Sequence, residues 1–80
     1  MDNYIYQDFI KDLELGHEFE FTIDAQTYNI STHSNGLFLT HNGVSQSYSS
    51  YSSLTKKAQI HHKTLQELFE TNEITIVQIY

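Results

Sequence analysis

The segment from Glu18 to Thr40 alternates apolar and polar residues with a period of two, which restricts the chain to folds built on an antiparallel meander. Phe19, Phe21 and Ile23 interleave with Glu18, Glu20 and Thr22, the signature of a strand with one dry face. After the turn-like Asp24-Ala25-Gln26 the alternation resumes through Thr27-Tyr28-Asn29-Ile30-Ser31-Thr32. Pairing Ile23 with Tyr28 sets Phe21 opposite Ile30 and Phe19 opposite Thr32, which gathers both apolar sets on one face. Asn35-Gly36 reads as a two-residue hairpin turn into a short third strand, about Leu37 to His41. Asn42-Gly43 reads as the next turn, and Val44 to Tyr48 returns as a fourth strand. In this register Val44 and Tyr48 lie opposite His41 and Leu37, His41 faces Ile30, and Phe38 falls on the open face.

The flanking segments supply the layer that covers the meander. Met1 to Leu15 is helical by pattern, with Ile5, Phe9 and Leu13 in one stripe that Tyr6 and Ile10 widen. Asp2 or Asn3 is placed to cap it, Asp8 and Asp12 lie along its polar side, and Gly16 is placed to end it. Ser53 is placed to cap a short helical turn, Leu54 to Ala58. From about His62 or Lys63 a second helix carries Leu65, Leu68 and Phe69 inward, and Thr71-Asn72 ends it. Ile74 to Tyr80 is almost continuously apolar and β-branched, which predicts an interior strand wetted on neither face. The expected fold is α+β: one domain over residues 1–80, with an antiparallel sheet of about five strands, the meander plus the C-terminal strand, packed on two helices. The element order is α-β-β-β-β-α-β.

Charge and composition narrow the functions. Net charge is −6 in 80 residues, and the acids Asp2, Asp8, Asp12, Glu14, Glu18, Glu20 and Asp24 precede residue 25 with Lys11 as their only counter-charge. Arginine is absent, and phosphate binding draws on clustered Arg or Lys, so nucleic acid is not an expected partner. The absence of cysteine excludes disulfides, thiolate metal sites and a cysteine nucleophile. With no signal-peptide order and no apolar run of about 18 residues, the expected address is the cytoplasm, without a membrane partner.

The chemistry-bearing residues form no catalytic signature. His17, His33, His41, His61 and His62 include no i, i+4 helical pair, so no metal site and no cofactor is expected. Glu18 and Glu20 share a strand face about 7 Å apart, a spacing also found in inverting carboxylate pairs. Any amphipathic strand generates it, however, and neither a nucleophile elbow nor a phosphate-binding loop is present. Ser45 to Ser53 mixes serines with Tyr48 and Tyr51, a composition that offers adaptable hydrogen bonding around rigid aromatic anchors.

The run Gly16-His17-Glu18-Phe19-Glu20-Phe21, the Tyr28-X-Ile30 partner strand, and the closing Leu65-Gln66-Glu67-Leu68-Phe69 with its final apolar strand resemble small uncharacterised proteins of Gram-positive bacteria and their phages. The resemblance covers most of the chain and carries no functional residues. It implies an accessory or mobile-element setting, in which small acidic proteins occupy a basic site on a host protein or sequester a signalling ligand. The expected function is therefore a non-enzymatic protein-interaction module of the inhibitor or anti-defence type. It would meet a basic partner surface through Asp8, Asp12, Glu18, Glu20, Tyr48 and Tyr51. The competing expectation is a small-ligand-binding or sequestering homo-oligomer using His41, Tyr48 and Tyr51, and a third is an accessory domain that binds nothing tightly.

Overall fold

The computed structural model describes residues 4–80, and left-handed backbone at a few turn residues sets its topology. Helix α1 (Tyr6–Glu14) leads into the meander β1 (Phe19–Ile23), β2 (Gln26–His33), β3 (Gly36–His41) and β4 (Val44–Tyr48). Helix α2 (Tyr51–Lys57), the ribbon β5 (Gln59–Ile60) and β6 (Lys63–Thr64), helix α3 (Leu65–Glu70) and β7 (Thr75–Ile79) complete it. The fold is α+β, with a five-stranded antiparallel sheet in the order β4-β3-β2-β1-β7.

The first two hairpins pair two residues away from the expected register. Asp24 and Ala25 both adopt positive φ, 50° and 63°, and close a two-residue turn with Ile23 opposite Gln26. Phe21 therefore faces Tyr28 and Phe19 faces Ile30. Between β2 and β3 the turn residues are Ser34 and Asn35, with His33 opposite Gly36; His41 consequently lies beside Tyr28 rather than Ile30. A shift of two preserves strand parity, so the apolar face survives both corrections. The Asn42-Gly43 turn closes as expected, with Val44 opposite His41 and Tyr48 opposite Leu37. Gly36 is needed for two reasons: its φ is +135°, and a Cβ there would overlap the backbone carbonyl of Tyr48.

Helix α1 starts at Tyr6, later than the periodicity suggested. The Asp8 carboxylate at its third position accepts from Ile5 N–H at 3.1 Å, so the cap comes from inside the helix; Asp2 and Asn3 lie outside the described residues. Ile5 leaves the stripe and is exposed, while Phe9 and Leu13 are buried. Gly16, at φ +93°, ends the helix in a paired terminator: Gly16 N–H donates to Leu13 C=O and His17 N–H to Asp12 C=O, both at 3.0 Å.

The second half departs further from expectation. Ser50, not Ser53, caps α2, its hydroxyl accepting from Ser53 N–H at 3.1 Å. The Ser/Tyr segment is thus mostly strand β4 and the start of α2, joined by Ser49-Ser50 alone. His61 and His62 at φ 55° and 66° form the turn of the β5–β6 ribbon, and α3 begins only at Leu65, capped by Thr64 and Glu67. β7 is an edge strand instead of an interior one. Its pairing to β1 slips between Glu20 and Phe21. Val77 is the extra residue and is exposed, while Ile76 and Ile79 pack against the core. Tyr80 continues the ladder, its N–H donating to Glu18 C=O at 2.8 Å.

All three helices cover one face of the sheet. Phe9 of α1 meets Phe19 of β1 and Phe69 of α3 at ring-centroid separations of 4.9 and 5.0 Å. Leu54, Leu65 and Leu68 close the rest of the layer, and no polar or charged side chain is buried among the described residues. The opposite face, which carries Glu20, Asn29, Ser31, Phe38, Thr40 and Ser45, has no covering layer.

Candidate functional site

The four carboxylates named for meeting a basic partner, Asp8, Asp12, Glu18 and Glu20, are divided by the sheet. Asp8 and Asp12 belong to the helical layer, and Glu18 and Glu20 to the open face. Each also holds the chain together. Asp8 caps α1, and the Asp12 carboxylate accepts from the Tyr4 hydroxyl at 2.6 Å. Burial, reinforced by that bond, raises the Tyr4 phenol well above its ordinary range. Glu18 accepts from Thr32 N–H at 2.8 Å, closing the end of the β1–β2 ladder, and Glu20 accepts from the Tyr80 hydroxyl at 3.4 Å.

The aromatic candidates are also separated. Tyr51, at the start of α2, donates to Glu14 at 2.7 Å, which ties α2 to α1 and raises its phenol pKa. Tyr48, whose pKa burial raises, donates to Gln46 at 3.0 Å. His41 stands at the far end of the β3–β4 hairpin, four residues along the strand and so about 13 Å away. Its ring stacks on Tyr28 at 4.1 Å, and its Nδ1 lies 2.9 Å from Thr27 C=O. The carbonyl can only accept, so Nδ1 carries a proton and donates. No group of three or more His, Asp or Glu side chains among the described residues is close enough to hold a metal ion.

What the structure does bring together is a neutral sheet margin. From Ala25 to Thr55 the chain contains no Asp, Glu, Lys or Arg, and this span is β2, β3, β4 and the first residues of α2. β4 forms the free edge of that half. Its residues Val44 to Ser47 are exposed and Tyr48 is half-buried. A two-residue turn closes on a hydrogen-bonded pair, so Val44, Gln46 and Tyr48 direct their N–H and C=O groups to β3. Ser45 and Ser47 direct theirs outward, unpaired by the sheet. Beneath the edge, on the helical side, a cleft of about 340 Å³ is lined by Tyr28, Leu39, His41, Asn42, Val44, Gln46, Gln59 and Ile60. The helical layer stops short of Val44, which is 66% exposed.

The other edge differs. β7 is broken by the bulge at Val77, and acids lie around it: Glu73 just before it, Glu20 on β1 beside it and Glu18 immediately before β1. Bulges and nearby charge are the usual means of blunting a sheet edge; β4 has neither. The sequence signal for this site, the charge-free span, is legible in the primary structure, but net charge alone conceals it.

The fold and margin therefore define a two-layer α+β protein with one blunted and one open sheet edge. No protein-family model, curated protein or solved structure matches the chain. No helix among the described residues is long and apolar enough to cross a membrane.

Proposed function

We propose that this chain is a non-enzymatic protein-interaction module that binds by adding an extended partner strand to β4. The carrying observation is the regular, charge-free β4 edge with the outward N–H and C=O groups of Ser45 and Ser47. Main-chain pairing of this kind supplies affinity, and the alternate side chains Val44, Gln46 and Tyr48 supply selectivity. The non-catalytic part of the reading rests on where the ionisable side chains are used: Asp8, Asp12, Glu14, Glu18, Glu20 and His41 each make a hydrogen bond within the fold. The acidic-patch version of the reading loses its geometric support, because its carboxylates occupy two sides of the sheet. Inhibition of a host protein, as the resemblance implies, would then act by engaging that protein's own extended segment.

Ser47→Pro tests the reading. Proline there removes an N–H that the β3–β4 ladder does not use, and edge strands tolerate it. Binding of a partner purified with the wild type should be lost, while the circular-dichroism spectrum stays native. In the wild-type complex the Ser45 and Ser47 amides should gain protection from hydrogen exchange. Undiminished binding by Ser47→Pro would show that the partner sits elsewhere.

A further inference from the structure

We infer that the strand added to β4 is β4 of a second copy of this chain, antiparallel, with the two-fold axis passing beside Gln46. The inference rests on the strand-addition reading above and names its occupant. An isologous interface requires a surface complementary to itself, and of the registers centred on an exposed residue of β4 this one pairs both outward-facing residues with residues of the partner's own β4. With the axis at Gln46, Ser45 lies opposite the partner's Ser47, and Ser47 opposite the partner's Ser45. These are the two residues whose backbone groups point outward, so each pair exchanges both hydrogen bonds and four new ladder bonds form.

The side chains agree with that register. Val44 and Tyr48 fall opposite one another across the axis as close, non-hydrogen-bonded pairs. Val44 stands at the end of β4 that the helical layer leaves bare, and Tyr48 at the end that α2 approaches. The two-fold places the covered end of each copy beside the bare end of the other. The partner's Tyr48 then shields Val44 at the mouth of the cleft that also holds Leu39 and His41. Within the sheet no like charges meet at the seam, since β4 and the two strands behind it, β3 and β2, contain no Asp, Glu, Lys or Arg. The result is one continuous ten-stranded sheet whose two remaining edges are the bulged β7 strands.

The register is tested by a single cysteine, because the natural chain has none. A non-hydrogen-bonded pair holds its Cα atoms about 4.5 Å apart, within disulfide reach. Gln46→Cys should therefore oxidise to a covalent dimer, whereas Ser47→Cys, displaced from the axis, should cross-link several-fold less. Sedimentation equilibrium of the wild type should give twice the 9.4 kDa chain mass, and Ser47→Pro should give the chain mass with a native spectrum. A wild-type dimer that survives Ser47→Pro and leaves Gln46→Cys reduced overturns the inference by placing the interface elsewhere. A monomeric wild type overturns it too. If that monomer still binds another protein in a Ser47-dependent way, strand addition stands with a different occupant; if it does not, both fall.

Discussion

The division of the sheet into a sealed and an open face is tested by removing one phenylalanine from each. Phe9 is wholly buried and is the side chain at which α1, α3 and β1 meet, with Phe19 and Phe69 rings at 4.9 and 5.0 Å. Truncating such a residue costs about 3–5 kcal/mol, the lost transfer energy plus the cavity left behind. Phe38, on the open face, is half-buried between Ser31 and Ser47 on the neighbouring strands, and its ring meets that of His33 edge-to-face at a centroid separation of 4.8 Å. With no cavity to leave in an uncovered face, its truncation forfeits mainly the ring pair, about 0.5–1.5 kcal/mol. Total stability for a domain of this length is about 4–12 kcal/mol, so Phe9→Ala consumes much of it and Phe38→Ala little. With a urea slope of about 1 kcal/mol/M, the unfolding midpoint should fall by roughly 3–5 M for Phe9→Ala and by about 0.5–1.5 M for Phe38→Ala. If Phe9→Ala is unfolded without urea, Phe9→Leu serves and should still lower the midpoint more than Phe38→Ala. Equal shifts at an unchanged slope would refute the assignment of faces.

Gly36→Ala should lower the thermal midpoint by about 10 °C, from backbone strain of about 2 kcal/mol and the overlap with Tyr48 C=O; an unchanged midpoint would mean the β3–β4 junction is not as tight as described. Thr64→Ala removes the hydroxyl that accepts from Glu67 N–H at 3.2 Å and should cost about 1 kcal/mol in urea titration, with Thr64→Ser retaining most of it. The Tyr4 phenol is raised from its ordinary 10.0, so above that pH the folded chain keeps a proton that the unfolded chain releases. Stability should therefore decline as pH rises beyond about 10, and Tyr4→Phe should flatten that decline in pH-resolved melts.

Parity was legible in the sequence where register was not. Alternation at Phe19, Phe21, Ile23, Tyr28 and Ile30 fixes which face is dry, but it is blind to a shift of two residues. That shift came from Asp24 and Ala25 accepting left-handed φ, which composition does not advertise at Ala25. The same blindness hid the β5–β6 ribbon, because a His-His pair is not recognised turn chemistry. Ile74 to Tyr80 misled in another way: a bulge at Val77 lets an apolar run serve an edge strand by turning two isoleucines inward and one valine out. The four carboxylates fall on polar faces by periodicity alone. That they lie on opposite sides of the sheet depends on α1 covering the face that Glu18 and Glu20 do not share, a tertiary fact. The β4 margin needed strand order before its missing charges acquired meaning.

Salt separates the two ways this acidic protein can associate. An acidic patch meeting a basic surface weakens as salt is added, because ions screen the attraction that holds it. The β4 edge carries no charge, and the nearest strand bearing carboxylates, β1, stands three strand spacings away, about 14 Å. Across a β4 interface the two sets of β1 acids are separated by seven spacings, more than 30 Å, against a screening length of about 8 Å at physiological ionic strength. The net charge of −6 on each copy then acts only as a weak, diffuse repulsion, strongest when salt is low. Association through β4 should accordingly hold constant or tighten as sodium chloride rises from low to physiological concentration, measured by sedimentation with the wild type. Dissociation over that range would refute the neutral margin as the site and return the binding to the carboxylates.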